Sequence, residues 1–422
     1  MIHVVTQGET VYSIAELYGV SAERIRYDNQ LNESAGLTPG QALLILYVQT
    51  AHMVRGGETL YSIAAIYNVP VSQILRNNPY LVHQPYLISG QSIVIRYEDS
   101  EKKEMKVTGY AYPFIEPYIL KEVLLYIEEL LVFSYGFTMD GELIPPFTDD
   151  TWMIREAENA GVRPILVLTP FSEQGVFNNQ LVTAAVEDLE MQERLIENVF
   201  AVMQEKGYVG VDIDFEYILA GDRVGYADFV RRFRERLAPE GYQVSVALVP
   251  KTSGEQRGLL YEGMDYRLLG EAADYVFLMT YEWGYTYSQP MAVAPIDKVR
   301  QVLDYAVTEI PVEKIIMGVP NYGYDWMLPY ERGVTRARLL GNVEAANLAV
   351  FHSVPVLFDE TAQSPHFNYQ YEGNEHEVWF EDVRSIEVKI RTAQEYNFAG
   401  FGYWNLMRPF RANWLLVNQM VT

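Results

Sequence analysis

Eight short apolar runs recur between residues 107 and 404: VTGYAYP, LLVFSYGF, RPILVLTPF, YVGVDIDFE, QVSVALVP, DYVFLMTYEW, KIIMGVPNYG and FAGFGYW. Amphipathic stretches, for example 187–206 and 226–237, separate most of them. Near-continuous apolar strands alternating with helices point to parallel strands covered on both faces. Eight such units over about 310 residues predict a closed (β/α)8 barrel, an α/β fold. The rhythm breaks from Tyr324 to roughly Glu381, where VPVLFDE, HFNYQYE and HEVWFED have the alternation of short strands. A small β insertion, about 324–381, is therefore expected between strands seven and eight.

The residues ahead of the barrel contain an internal repeat. VTQGETVYSIAELYGVSAERI at 5–25 recurs as VRGGETLYSIAAIYNVPVSQI at 54–74, an offset of 49, and PGQALLIL at 39–46 recurs as SGQSIVIR at 89–96. Each copy reads as a strand, a turn at Gly-Glu-Thr, a helix carrying apolar Ile14, Leu17 and Tyr18 in the first copy, a second helix from Ser21 or Val71, and a closing strand. The prediction is two βααβ modules of α+β type, 1–48 and 49–97, a charged linker at 98–106 and a barrel domain at 107–422.

Charge divides the chain in the same place. Residues 1–97 hold five Arg and six acids, a net of −1, so the total of −24 leaves −23 on the remainder. That balance argues against nucleic acid as a partner. No apolar run is long enough for a membrane span, and MIHVVTQGET lacks the basic and apolar regions of a signal peptide. With no cysteine and six scattered histidines (His3, His52, His83, His352, His366, His376), neither a metal nor another cofactor is expected.

The chemistry concentrates in GYVGVDIDFEY at 207–217, where Asp212, Asp214 and Glu216 occupy every second position between Val211, Ile213 and Phe215. On a strand they share one face, about 6–7 Å apart. Buried carboxylates are costly, and barrel enzymes place their chemistry at the carboxyl ends of strands, which is where Glu216 falls. Beside those acids its pKa should rise enough to make it a proton donor. A structural calcium site is the plainer reading, but calcium favours flexible loop oxygens over a rigid strand.

Two resemblances follow from these motifs. The repeated V-x-x-G-E-T-[VL]-Y-S-I-A with its later G-Q resembles the LysM module, which implies binding of N-acetylglucosamine-containing glycans around Gly8, Thr10, Gly57 and Thr59. G-V-D-I-D-F-E resembles the fourth-strand signature of glycoside hydrolase family 18, LMTYEW its sixth-strand Met-x-Tyr motif through Met279 and Tyr281, and GYW its eighth-strand aromatic through Trp404. Together they are similar to the spore cortex-lytic N-acetylglucosaminidases of spore-forming bacteria. The family's first Asp is Val209 here, its Trp before the catalytic Glu is Phe215, its acid after the sixth-strand Tyr is Glu282, and LVLTPFSEQG lacks the family's third-strand Ser-x-Gly-Gly. The insertion looks shorter than that of long-groove chitinases and implies a more open cleft.

The resemblance implies retaining, substrate-assisted hydrolysis. Glu216 is the general acid/base, Asp214 orients the 2-acetamido N–H, Asp212 shares a proton with Asp214, and Tyr281 holds the acetamido oxygen. Met279, Trp404, Glu282, Asn321 and Tyr322 are candidates for substrate binding. The implied substrate is spore cortex peptidoglycan, cut on the reducing side of N-acetylglucosamine during germination by a monomer at the coat or cortex periphery. A chitinase acting on chitin oligomers and a non-catalytic glycan-binding coat protein are the alternatives.

Overall fold

The computed structural model describes residues 1–422 except 33–35, 99, 172–174 and 176. Eight parallel strands close a barrel: Lys106–Ala111, Glu129–Phe137, Arg163–Leu168, Gly210–Ile213, Gln243–Leu248, Tyr275–Leu278, Ile315–Pro320 and Gly400–Trp404, the last pairing back onto the first. Each of the eight apolar runs supplies one strand. Residues of both faces are buried because helices cover the outside, among them Leu189–Lys206 and Arg223–Leu237. Among the described residues no helix is long and apolar enough to cross a membrane.

Between strands seven and eight lies a five-stranded antiparallel sheet built from Gly323–Met327, Arg338–Leu340, Leu357–Asp359, Ser364–Tyr371 and Asn374–Trp379. The expectation of an all-β insertion is incomplete: the helix Asn342–Phe351 packs on this sheet and shares a core with Leu340, Phe367 and Val378. Its apolar residues are spread around the helix rather than gathered in one stripe, so no helical period marks NVEAANLAVF in the sequence.

The two N-terminal modules repeat one plan. The first comprises Ile2–Val4, Val11–Tyr18, Ala22–Asp28 and Ala42–Leu44; the second comprises Val48–Met53, Leu60–Tyr67, Val71–Asn77 and Ser92–Tyr97. In each, a two-stranded antiparallel sheet backs two helices over a small core, Ile14, Ile25 and Leu43 in one and Ile63, Ile74 and Ile93 in the other. Leu17 does not join this core and is 65% exposed.

The modules are packed onto the barrel. Leu44, Leu46, Val94 and Tyr97 are buried in the same cluster as barrel residues. Arg411, at the start of the last helix, pairs with Glu122 and donates to the Tyr27 carbonyl, while Asn418 donates to Asn77. Thr38 and Pro39 of the first module bond to the backbone of Val354 and Val356 in the insertion, at 2.6 and 2.9 Å. The charged connector also runs against the barrel domain, its Lys103 exchanging backbone hydrogen bonds with Met420 and Thr422; Asp99 lies outside the described residues.

Candidate active site

The helix before the fourth strand is started by Asp188, whose carboxylate accepts from the backbone of Glu190 and Met191, and is stopped by Gly207 in the left-handed region. The strand that follows continues its alternation past its last ladder residue. Asp214 still donates its backbone N–H to Leu168, and Phe215 points outward to stack between Phe137 and Tyr226 at 5.6 Å from each. With Phe215 anchored outside, Asp212, Asp214 and Glu216 face inward.

Their environments differ with depth. Asp212 is fully buried and accepts from the Tyr110 hydroxyl at 2.7 Å and the Ser245 hydroxyl at 2.6 Å. Burial pushes its carboxyl up to about 6, against the pull of those two donors. Asp214 is pushed well above the ordinary carboxylate range by burial, then by the charges of Glu216 and Asp212, and its buried Oδ1 has no hydrogen-bond partner among the described residues. Glu216, at the cleft surface and partly exposed, is pushed up to about 7 by burial and then by Glu282. The hydrogen bonds of Asp212 run to Tyr110 and Ser245, and none joins it to Asp214 among the described residues. Even so, the charges of both Glu216 and Asp212 act on Asp214, so the three acids do not titrate independently.

Asp214 and Glu216 form the floor of a cleft of about 360 Å³, walled by Tyr112, Phe133, Phe171, Phe177, Tyr261, Trp283 and Trp404, with Asp212 beneath it. Tyr281 reaches this floor from the sixth strand, nearly buried, its hydroxyl raised well above its usual value by burial and then by Asp214 and Glu216. A Cβ at Gly318 would lie 2.8 Å from the Tyr281 ring, so only glycine on strand seven admits that side chain. Glu282 takes a left-handed φ of 69°, and its carboxylate accepts from Tyr322 and Tyr324. Burial raises its pKa, and the two tyrosines oppose the rise. Met279 and Trp404 also line the cleft, Trp404 packing edge-on to Phe133 at 5.0 Å.

Two expected substrate contacts fall elsewhere. Asn321 is buried away from the cleft lining, its amide donating to the carbonyls of Asn405 and Arg408 and accepting from Asn342. It ties the end of strand seven to strand eight and the insertion. Tyr322 is also buried and bears on the cleft through Glu282. In the modules, Gly8 and Gly57 take φ of 86° and 85° in the Gly-Glu-Thr turns, whereas Thr10 and Thr59 use their hydroxyls to cap the following helices through Ser13 and Ser62. Each hydroxyl accepts one backbone N–H of its helix, and both threonines remain exposed.

Other site residues are absent from the sequence expectations. Tyr110 and Ser245 sit on strands one and five, and the inward positions of those runs are the signal that could have found them. Phe171 and Phe177 form an antiparallel bridge and meet edge-on at 4.6 Å, but residues 172–174 and 176 lie outside the described residues, so LVLTPFSEQG is described only in part. The Gln256 and Tyr261 loop carries no motif. The histidines include a repeated pair that the scattered spacing hid: His3 bridges Glu9 and Tyr18 as His52 bridges Glu58 and Tyr67, behind each Gly-Glu-Thr turn.

Comparison with known proteins places this geometry. Residues 178–408 match Glycosyl hydrolases family 18, and residues 3–45 and 52–96 match the LysM domain. The chain is 38% identical to the cortical fragment-lytic enzyme of Bacillus anthracis, covering 100% of this chain and 99% of that one. It superposes on the crystal structures of the spore cortex-lytic enzyme SleL from Bacillus cereus and Bacillus megaterium with TM-scores of 0.85 and 0.84 at 35% and 34% identity, covering 100% of this chain and 98% of each. An acid-floored cleft at the mouth of the barrel, matched by the family and by relatives aligned along the whole length, makes this chain a glycoside hydrolase that belongs to glycosyl hydrolase family 18, with two LysM domains ahead of its barrel.

Proposed function

We propose that this hydrolase cleaves spore cortex peptidoglycan on the reducing side of N-acetylglucosamine, at the spore, through retaining catalysis assisted by the substrate. The full-length likeness to cortical fragment-lytic enzymes supports the substrate class. The observation that carries the mechanism is the Oδ1 of Asp214, a buried oxygen without a hydrogen-bond partner among the described residues, at the floor of the cleft beside Glu216 and Tyr281. Buried acceptors are rarely left unsatisfied, and a substrate acetamido N–H would complete this one.

In the first step Glu216 gives its proton to the glycosidic oxygen while the acetamido carbonyl oxygen attacks the anomeric carbon; the glycosidic bond breaks and an oxazolinium ring forms. Tyr281 holds that carbonyl oxygen, and Asp214 faces the positive charge that develops on the ring. Asp212, fixed by Tyr110 and Ser245, keeps a negative charge beneath Asp214. In the second step water gives a proton to the Glu216 carboxylate and opens the ring from the face the leaving group vacated, which restores the β configuration. The muramic residues of cortex that are lactams have no acetamido group to attack with, so the sugar that reacts is N-acetylglucosamine. Borohydride reduction of the released fragments and mass spectrometry test this: reduced N-acetylglucosamine ends are expected, and a majority of reduced muramic ends would overturn it.

A further inference from the structure

The loop that opens the insertion is basic in an acidic barrel domain. Residues 328–338 read LPYERGVTRAR, three Arg and one Glu, a net of +2. Arg338 pairs with Glu344 and Asp325. Arg336 is exposed and has no carboxylate partner among the described residues; its guanidinium lies over the Tyr287 ring, 5.3 Å from the centroid.

Its position relative to the acids is braced. Ala337 donates its N–H to the Thr286 carbonyl at 2.8 Å, Tyr330 donates to the Tyr287 carbonyl at 2.9 Å, and Trp326 donates to the Ser288 carbonyl at 2.7 Å. Those three carbonyls belong to the loop that begins at Tyr281 and Glu282. The hydroxyl of Tyr324 bonds to Glu282 at one end of this frame and interacts with Thr286 at the other. The same loop starts at Tyr281, Glu282 and Trp283, which line the cleft, and carries exposed Tyr285 and Tyr287, their rings 6.2 Å apart, outward to Arg336.

We infer that Arg336 on Tyr287 is a specificity element that takes a carboxylate of the bound glycan, carried by a muramic lactyl group or its stem peptide. The aromatic face holds the guanidinium over Tyr287 with no carboxylate on its fork among the described residues, an arrangement suited to taking one. Chitin has no such group, so Arg336 would favour wall glycan without touching the reacting sugar. The inference rests on the function proposed above and refines it.

The test measures kcat/KM of the full chain and of Arg336→Gln on chitotetraose, on muramyl fragments with free carboxylates, and on the same fragments with carboxylates converted to amides. Arg336→Gln is expected to lose roughly three- to fivefold on the free-carboxylate fragments, the size of an exposed ion pair. It is expected to match the parent chain on the other two substrates, and the difference should close at about 0.5 M salt. Fragments stripped of peptide by an amidase retain only the lactyl carboxylate and tell the two sources apart. An equal loss on all substrates, or none on any, overturns the inference. Failure of the parent chain to cleave muramyl fragments overturns the proposed function as well.

Discussion

Tyr110 donates its hydroxyl to Asp212 across 2.7 Å at the centre of the barrel, joining strand one to strand four beneath the cleft. The bond counters the burial that pushes Asp212 up to about 6. Tyr110→Phe should therefore destabilise the protein by about 1–3 kcal/mol, and more at pH 8, where Asp212 is charged, than at pH 5. Denaturant unfolding at the two pH values measures this. Equal losses would mean that the bond does not support the charge.

Glu216 must be protonated to act as an acid, and its pKa is pushed up to about 7. Activity should fall as pH rises through that value, when Glu216 loses its proton, and fall again below about 6, where Asp212 loses its charge, a bell-shaped profile. Glu216→Gln should keep the fold and lower kcat by about 10²–10⁴-fold. A folded variant with undiminished turnover would remove Glu216 from the mechanism.

The same acids set a pH dependence of stability. Asp212 at about 6 and Glu216 at about 7 hold protons in the folded chain that the unfolded chain releases near 4 to 4.5. Folded pKa values above unfolded ones mean a penalty that is absent below about pH 4, grows as pH rises, and is complete above about pH 7. Glu216→Gln removes part of it and should raise stability at pH 8 by about 1–2 kcal/mol, with little change at pH 4.5. Thermal melts across this range check the sign; a variant no more stable at pH 8 would contradict it.

Gly40 holds the first module against the insertion. Its φ is 81°, and an added Cβ would lie 1.8 Å from the Val356 carbonyl oxygen. Gly40→Ala should force the two apart, raise amide exchange around Val354–Val356 and cost about 1–3 kcal/mol, while kcat on soluble oligomers stays unchanged. Unaltered exchange would show that the contact does not hold the module.

Patterns carried on consecutive residues were legible. The eight runs become the eight strands because burial on both faces imposes an apolar period that the chain displays directly. The module repeat and the inward face shared by Asp212, Asp214 and Glu216 follow from the same local rule, since alternation on a strand decides which way each side chain points. Tertiary structure decided what pairs with those residues. Asn321 lies two residues from the insertion and reads as a cleft residue, yet its amide is spent on Asn405 and Arg408 across the chain return. Leu17 satisfies the helical period but faces solvent, because an eight-residue helix over so small a core buries only one stripe. The partners of Asp212 come from strands 102 residues before and 33 residues after it, so closure of the barrel creates its environment. The seating of Leu44 and Tyr97 on the barrel is settled in the same way: residue type predicts that they will be buried, and only the folded chain supplies the surface that buries them.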